Sequence, residues 1–282
     1  MTVPSSVRRV FVGPVGLRAG WSLLLYVALF ALGAAAFALA VRSLHVGEPW
    51  VQVPAELGAL VSAFSSALVL ARMEGRPWGA YGLPARRGIV GGIARGAIWG
   101  FLSITLLLLC LYLTHAFTIG HVVLPIGPLA GFGAFWGVFF LLVGLFEEFL
   151  LRGYAQFTLA RGIGFWPAAL LLSCVFGAIH LHNPGEGWTG ALAAVLIGLF
   201  LCYTLRRTGD LWFAVGFHSA WDWGESFIYS APDSGVVSPG HLLSSSFHGP
   251  AWLTGGATGP EGSVLCLLVI GAAWVAFART HK

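Results

Sequence analysis

Long apolar runs separated by short polar connections dominate this chain and leave it few ways to fold. They lie near residues 21–41, 55–71, 93–114, 125–146, 164–181, 188–205, 211–228 and 263–278. A helix needs roughly 20 apolar residues to cross the hydrocarbon core, where no water can satisfy an unpaired backbone group. Apolar residues make up 57% of the chain and charged residues 9%, with a mean hydropathy of +0.84, so lipid is the expected solvent. The expected fold is all-α: a polytopic membrane protein with about eight transmembrane helices in a single domain over 21–278. An N-terminal arm at 1–20 and a tail at 279–282 flank it.

Charge distribution tests that arrangement independently, because Lys and Arg concentrate in cytoplasmic connections. Arg8, Arg9 and Arg18 precede the first run; Arg72, Arg76, Arg86, Arg87 and Arg95 surround the connection from the second to the third. Arg152, Arg161, Arg206, Arg207, Arg279 and Lys282 fall on the same side, and Arg42 alone on the other, with Glu48, Glu186, Asp233 and Glu261. Both termini are therefore expected to be cytoplasmic. The net charge of +4 reflects this asymmetry, and no compact basic stripe with interleaved aromatics points to nucleic acid. Arg8, Arg9 and Arg18 ahead of Ala38-Leu39-Ala40 resemble a cleaved secretory signal, but the apolar run is too long for a usual signal core. Retention as a spanning helix is the expectation. Abundant Ala and Gly with almost no Lys suit a bacterial plasma membrane.

Other residue types have structural readings. Cys110, Cys174, Cys202 and Cys266 lie inside apolar runs without C-x-x-C spacing, so they are expected to pack rather than to bridge or bind zinc. Trp21, Trp50, Trp78, Trp166, Trp188 and Trp212 flank the runs, as an interfacial belt requires. Gly88, Gly92, Gly96 and Gly100 recur every fourth residue, a face that lets another helix approach closely.

The ionisable residues within the apolar runs carry the functional information: Glu147, Glu148, Arg152, His180, His218 and Asp222. A charge at the centre of a spanning helix costs about 2.5–3.5 kcal/mol even on lenient scales, so these groups are expected to face one another or a polar cavity. The fourth helix is expected to continue past Glu147 to about Ala160. Glu148 and Arg152 stand at i and i+4 with the acid first, the favourable order for an ion pair. Glu147 points about 100° away around the helix, towards a different partner. Phe176 shares a face with His180, and His218 with Asp222. Asp210, His182, Asn183 and Glu225 lie near helix ends, where solvation is the simpler reading.

Three patterns follow in order. Glu147-Glu148-Phe-Leu-Leu-Arg152 matches E-E-x-x-x-R, Phe176-Gly-Ala-Ile-His180 matches F-x-x-x-H, and His218-Ser-Ala-Trp-Asp222 matches H-x-x-x-N/D. In these motifs, over about 125–230, the chain resembles the CPBP family (CAAX protease and bacteriocin-processing). The run from Trp252 to Ser263 also looks like a tail seen in bacterial members, without a physical account at this stage. The resemblance implies eight helices and hydrolysis of peptide bonds within the membrane, as in type II CAAX prenyl endopeptidases. It implies Glu147 as the base that activates water, His180 as the group that positions it, and His218 with Asp222 as stabilisers of the oxyanion; Glu148, Arg152 and Phe176 would hold these in place. Many members have Asn where this chain has Asp222. An ionised Asp cannot donate to an oxyanion, which leaves it to orient His218 or bind a cation.

Glu147, His180 and His218 also form a two-histidine, one-carboxylate set of the kind that holds Zn2+, so a metalloprotease and a metal-free glutamate protease both stay open. The expected partners are membrane lipid and a peptide or protein substrate, lipidated or bacteriocin-like. The alternative is a non-hydrolytic transporter or scaffold with the same fold; the halves of the sequence show no duplication of the kind common in transporters.

Overall fold

A computed structural model describes residues 10–13, 16–85, 88–183 and 185–281. Of the residues used above, Arg8, Arg9, Arg86, Arg87, Lys282 and the Trp78 side chain lie outside the described residues. Helices account for nearly all the regular structure: α1 (Ala19–Ser43), α2 (Gln52–Met73), α3 (Ile89–Leu113), α4 (Ile126–Ile163), α5 (Phe165–His180), α6 (Trp188–Thr208), α7 (Trp212–Trp223) and α8 (Val264–Thr280). Every expected apolar run coincides with one of them. Five, α1 to α4 and α6, are long and apolar enough to cross a membrane, which makes this an integral membrane protein. Helices α5 and α8 are apolar but shorter, at 16 and 17 residues. Helix α7 has 12 residues and passes directly into a π-helical turn, Gly224–Ile228.

The chain divides into two compact units. The first comprises Met1–Ala85 and Phe146–Leu172, the second Arg86–Leu145 and Ser173–Lys282. In the first, α1 packs on α2 through small residues: a Cβ on Gly58 would collide with the Phe37 ring, and one on Gly33 would press on Ser62. Phe149 stacks on Phe64 with ring centroids 4.0 Å apart, and Tyr154 meets both Tyr26 and Tyr81. These rings fix the segment of α4 that carries the first motif.

In the second unit, α3 and α7 lie backbone against backbone. A Cβ on Gly96 would fall on the Phe213 carbonyl oxygen, one on Gly100 on that of Phe217, and one on Gly216 on that of Ile93. Gly92, Gly96 and Gly100 of the glycine repeat thus serve helix packing against the helix that bears His218, whereas Gly88 (φ +105°) caps the start of α3 and meets nothing within 4 Å. The N-terminal half of α4 packs on the same region. Trp136 and Phe140 form a buried cluster with Phe227, and the Trp223 indole N–H donates to the Gly133 carbonyl at 3.1 Å. The Trp136 indole donates to Pro239 O at 3.0 Å and so anchors the loop after α7. That loop is ordered further by pairing of Ser246–Phe247 with Phe117–Thr118.

Trp21, Trp50, Trp166 and Trp188 are exposed at or beside helix starts, as an interfacial belt requires. None of the four cysteines forms a disulfide; Cys202 and Cys266 are buried, Cys110 is half-buried and Cys174 is exposed on α5.

Candidate active site

Helix α4 changes character at the first motif. After Glu148 it becomes a π turn, Phe149–Ala155, in which Gly153 leaves the helical region (φ −83°, ψ −117°) before the α-helix resumes at Gln156. A π turn inserted in an α-helix changes the direction of the side chains around it and recurs at functional sites. A Cβ on Gly153 would press against the Phe149 ring, so the distortion uses the one residue of the turn without a side chain. Arg152 donates to Glu148 Oε1 at 2.7 Å across this turn, and both side chains are buried almost completely. Opposite charges at this distance in a dry setting neutralise each other. Glu147, next in the chain, is half-buried.

A polar anchor closes the same unit. Glu74, just after α2, accepts hydrogen bonds from Tyr154 Oη at 2.7 Å and Tyr81 Oη at 3.1 Å, and pairs with Arg161 at 3.0 Å. Burial alone would raise its pKa, but the Arg161 and tyrosine hydrogen bonds outweigh it and hold the carboxyl below its ordinary range. Tyr81 is pushed up to about 12 by burial and by the Glu74 charge.

In the second unit, His180 ends α5. Its Nδ1 lies 2.9 Å from the Phe176 carbonyl oxygen, which can only accept, so the proton is assigned to Nδ1. That leaves Nε2 as the ring atom able to take a proton or a metal. The Phe176 ring stands edge-on to the imidazole at 4.3 Å and fixes its plane. A Cβ on Gly177 would strike the Ala191 carbonyl, so α5 is seated closely on α6 beneath this histidine. On α7, His218 Nε2 lies 3.4 Å from Asp222 Oδ2. Both are mostly buried.

The structure therefore brings together the pairs expected from the sequence: Glu148 with Arg152, Phe176 with His180, and His218 with Asp222. Glu147 belongs to the first unit and His180, His218 and Asp222 to the second. The backbone bond at His180 Nδ1 is of the kind that supports a ligating Nε2.

Two readings need correction. Glu225 is not solvated at a helix end but fully buried in the π turn after α7, and Asp210 is also buried, with Oδ1 accepting from Trp212 N at 3.2 Å. Glu225 lies within the apolar run 211–228, so the cost of an intramembrane charge already marked it. Sequence reasoning also missed Asp233 and Glu261, which join Asp222: one carboxylate oxygen from each lies within 4.8 Å of the other two. Glu186, between α5 and α6, is raised by burial and then by the Glu261 charge, against the opposing influence of His180.

Residues 129–224 match the family model described as type II CAAX prenyl endopeptidase Rce1-like. No curated protein and no solved structure matches the chain.

Proposed function

We propose that this chain, whose residues 129–224 match the Rce1-like type II CAAX prenyl endopeptidase family model, hydrolyses a peptide bond of a membrane-associated peptide or protein. The observation that carries this reading is the division of labour inside the first motif. Arg152 takes Glu148 in a buried ion pair, and the role of base falls to Glu147 at the start of the π turn.

In this reading Glu147 removes a proton from the attacking water and later returns it to the leaving amine. His180, its proton on Nδ1, accepts a hydrogen bond from the same water at Nε2 and aims it. His218 donates to the oxyanion. Asp222, which cannot donate when ionised, holds the His218 ring. A zinc ion held by Glu147, His180 and His218 would supply a more acidic water. With zinc those three side chains would serve as ligands, so the roles given to them above belong to the metal-free form of the reading.

The test is cleavage of membrane-bound peptides by purified, reconstituted protein. Glu147→Gln should lower the rate by about 10²–10⁴-fold, the usual contribution of a positioned acid–base group, with the protein still folded. Undiminished cleavage would remove Glu147 from the mechanism, and activity in protein shown to hold no metal would exclude zinc. Comparing membrane peptides from cells with active and Glu147→Gln protein identifies the substrate.

A further inference from the structure

The acids around the end of α7 are brought together by parts of the chain distant in sequence, through contacts that tolerate no side chain. A Cβ on Gly259 (φ +100°) would fall on the Pro232 carbonyl oxygen, and one on Gly255 (φ +86°) on that of Gly259. Two left-handed glycines therefore fold the run from Trp252 to Ser263 on itself and lay it against Pro232. Asp233 and Glu261 each stand within two residues of that contact. This gives the run the physical role that the sequence alone did not reveal.

Neutral groups donate to several of these carboxylate oxygens. Trp221 Nε1–H is shared between Glu225 Oε2 at 2.9 Å and Glu261 Oε1 at 3.2 Å. Ser226 Oγ donates to Asp233 Oδ2 at 3.1 Å, and Ser234 Oγ to Glu261 Oε2 at 3.2 Å. No Lys or Arg occurs between Arg207 and Arg279 in the sequence. A second observation is independent of the cluster's acidity. Glu225 is completely buried, and its Oε1 has no hydrogen-bond partner among the described residues. Because its other oxygen shares an N–H with Glu261, this carboxylate faces the group, and the charges of Glu261, Asp233 and Asp222 all act on it. A buried carboxylate oxygen without a donor, beside other carboxylates, calls for a positive ligand.

We propose that Asp222, Asp233 and Glu261, backed by Glu225, form a binding site for a divalent cation of the calcium type. The ligands are oxygens throughout, which suits a hard cation rather than zinc or copper. The three oxygens lie within 4.8 Å of one another, close enough to share one ion, and a set of several protein carboxylates suits calcium better than magnesium, which keeps most of its waters and takes one or two carboxylates. The charge pattern of the sequence assigns this loop to the outer face. Asp222 then touches both the cation and His218, so the ion also fixes the imidazole. The site itself does not depend on the protease reading, and its test does not use cleavage.

The full-length protein, purified in detergent and stripped with a chelator, is titrated with CaCl2 by calorimetry and equilibrium binding, with MgCl2 as comparison. One saturable calcium ion per chain, a melting temperature raised by calcium, much weaker magnesium binding, and at least a tenfold loss of calcium affinity in Glu261→Gln are expected. Asp233→Asn, which changes a loop residue only, serves the same purpose should Glu261→Gln not fold. Wild-type protein that binds no calcium, or variants that bind it equally, would overturn the proposal. A protonated-carboxyl infrared band lost in Glu225→Gln, without calcium binding, would assign the cluster to a held proton instead.

Discussion

Arg152 and Glu148 can be separated chemically from the residue beside them. Removing one partner of a buried ion pair leaves the other charge stranded, which costs about 3–5 kcal/mol, whereas replacing both with groups of similar size is often near neutral. Glu148→Gln alone should therefore destabilise the protein by about that amount, and Glu148→Gln with Arg152→Met should recover most of it. Unfolding of the three variants in mixed micelles measures this; equal losses in the single and double variants would mean the pair does not act as a unit. At this scale much was legible in the sequence. Spacing at i and i+4 placed Glu148 on Arg152, Phe176 by His180 and His218 by Asp222, because a helix puts such residues on one face whatever surrounds it. Glu225 was misread, because proximity to a helix end suggests water, whereas its place inside the apolar run 211–228 was the signal that pointed to burial.

Among the elements, the contact between α3 and α7 is the one most sensitive to volume. Gly96 and Gly100 touch carbonyl oxygens, and backbone cannot step aside as a flexible side chain can. Gly100→Val should force α7 away and destabilise the protein by about 1–3 kcal/mol or more, the range for overpacking. Gly91→Val, one residue from that face, meets nothing within 4 Å and should be near neutral, since Val is if anything the better helix former. Thermal melts of the two variants provide the comparison, and similar losses would contradict backbone contact. The Glu74 anchor predicts a pH dependence. Its pKa in the folded protein is depressed, so its stabilisation is present in full above the ordinary carboxylate range and disappears as pH falls through the depressed value. Tyr154→Phe with Arg161→Gln should flatten the acid limb of the stability curve, and an unchanged limb would assign it to other acids. The glycine period announced the helix contact because small residues at every fourth position describe one face. The π turn was not announced, because a single glycine at 153 in an apolar run looks the same whether or not the backbone breaks there.

For the whole molecule, the apolar runs revealed the helices because lipid leaves the backbone few alternatives, and each run coincides with a helix. The gathering of Asp233 and Glu261 was not visible, since it depends on close backbone approaches between residues far apart in sequence. Orientation is what the charges predict and what labelling in cells measures. Val90, at the start of α3 near Arg95, and Val237, in the loop after α7, are both well exposed. Cysteines placed there, with Cys110, Cys174, Cys202 and Cys266 replaced by Ala, report on opposite sides of the membrane. A membrane-impermeant maleimide should label Val237→Cys in intact cells, and Val90→Cys only after permeabilisation, because the basic residues cluster with Val90 and cross the bilayer least readily. The reverse pattern would invert the topology and place the acidic cluster in the cytoplasm, where free calcium is scarce, so the same labelling decides which cation that cluster meets.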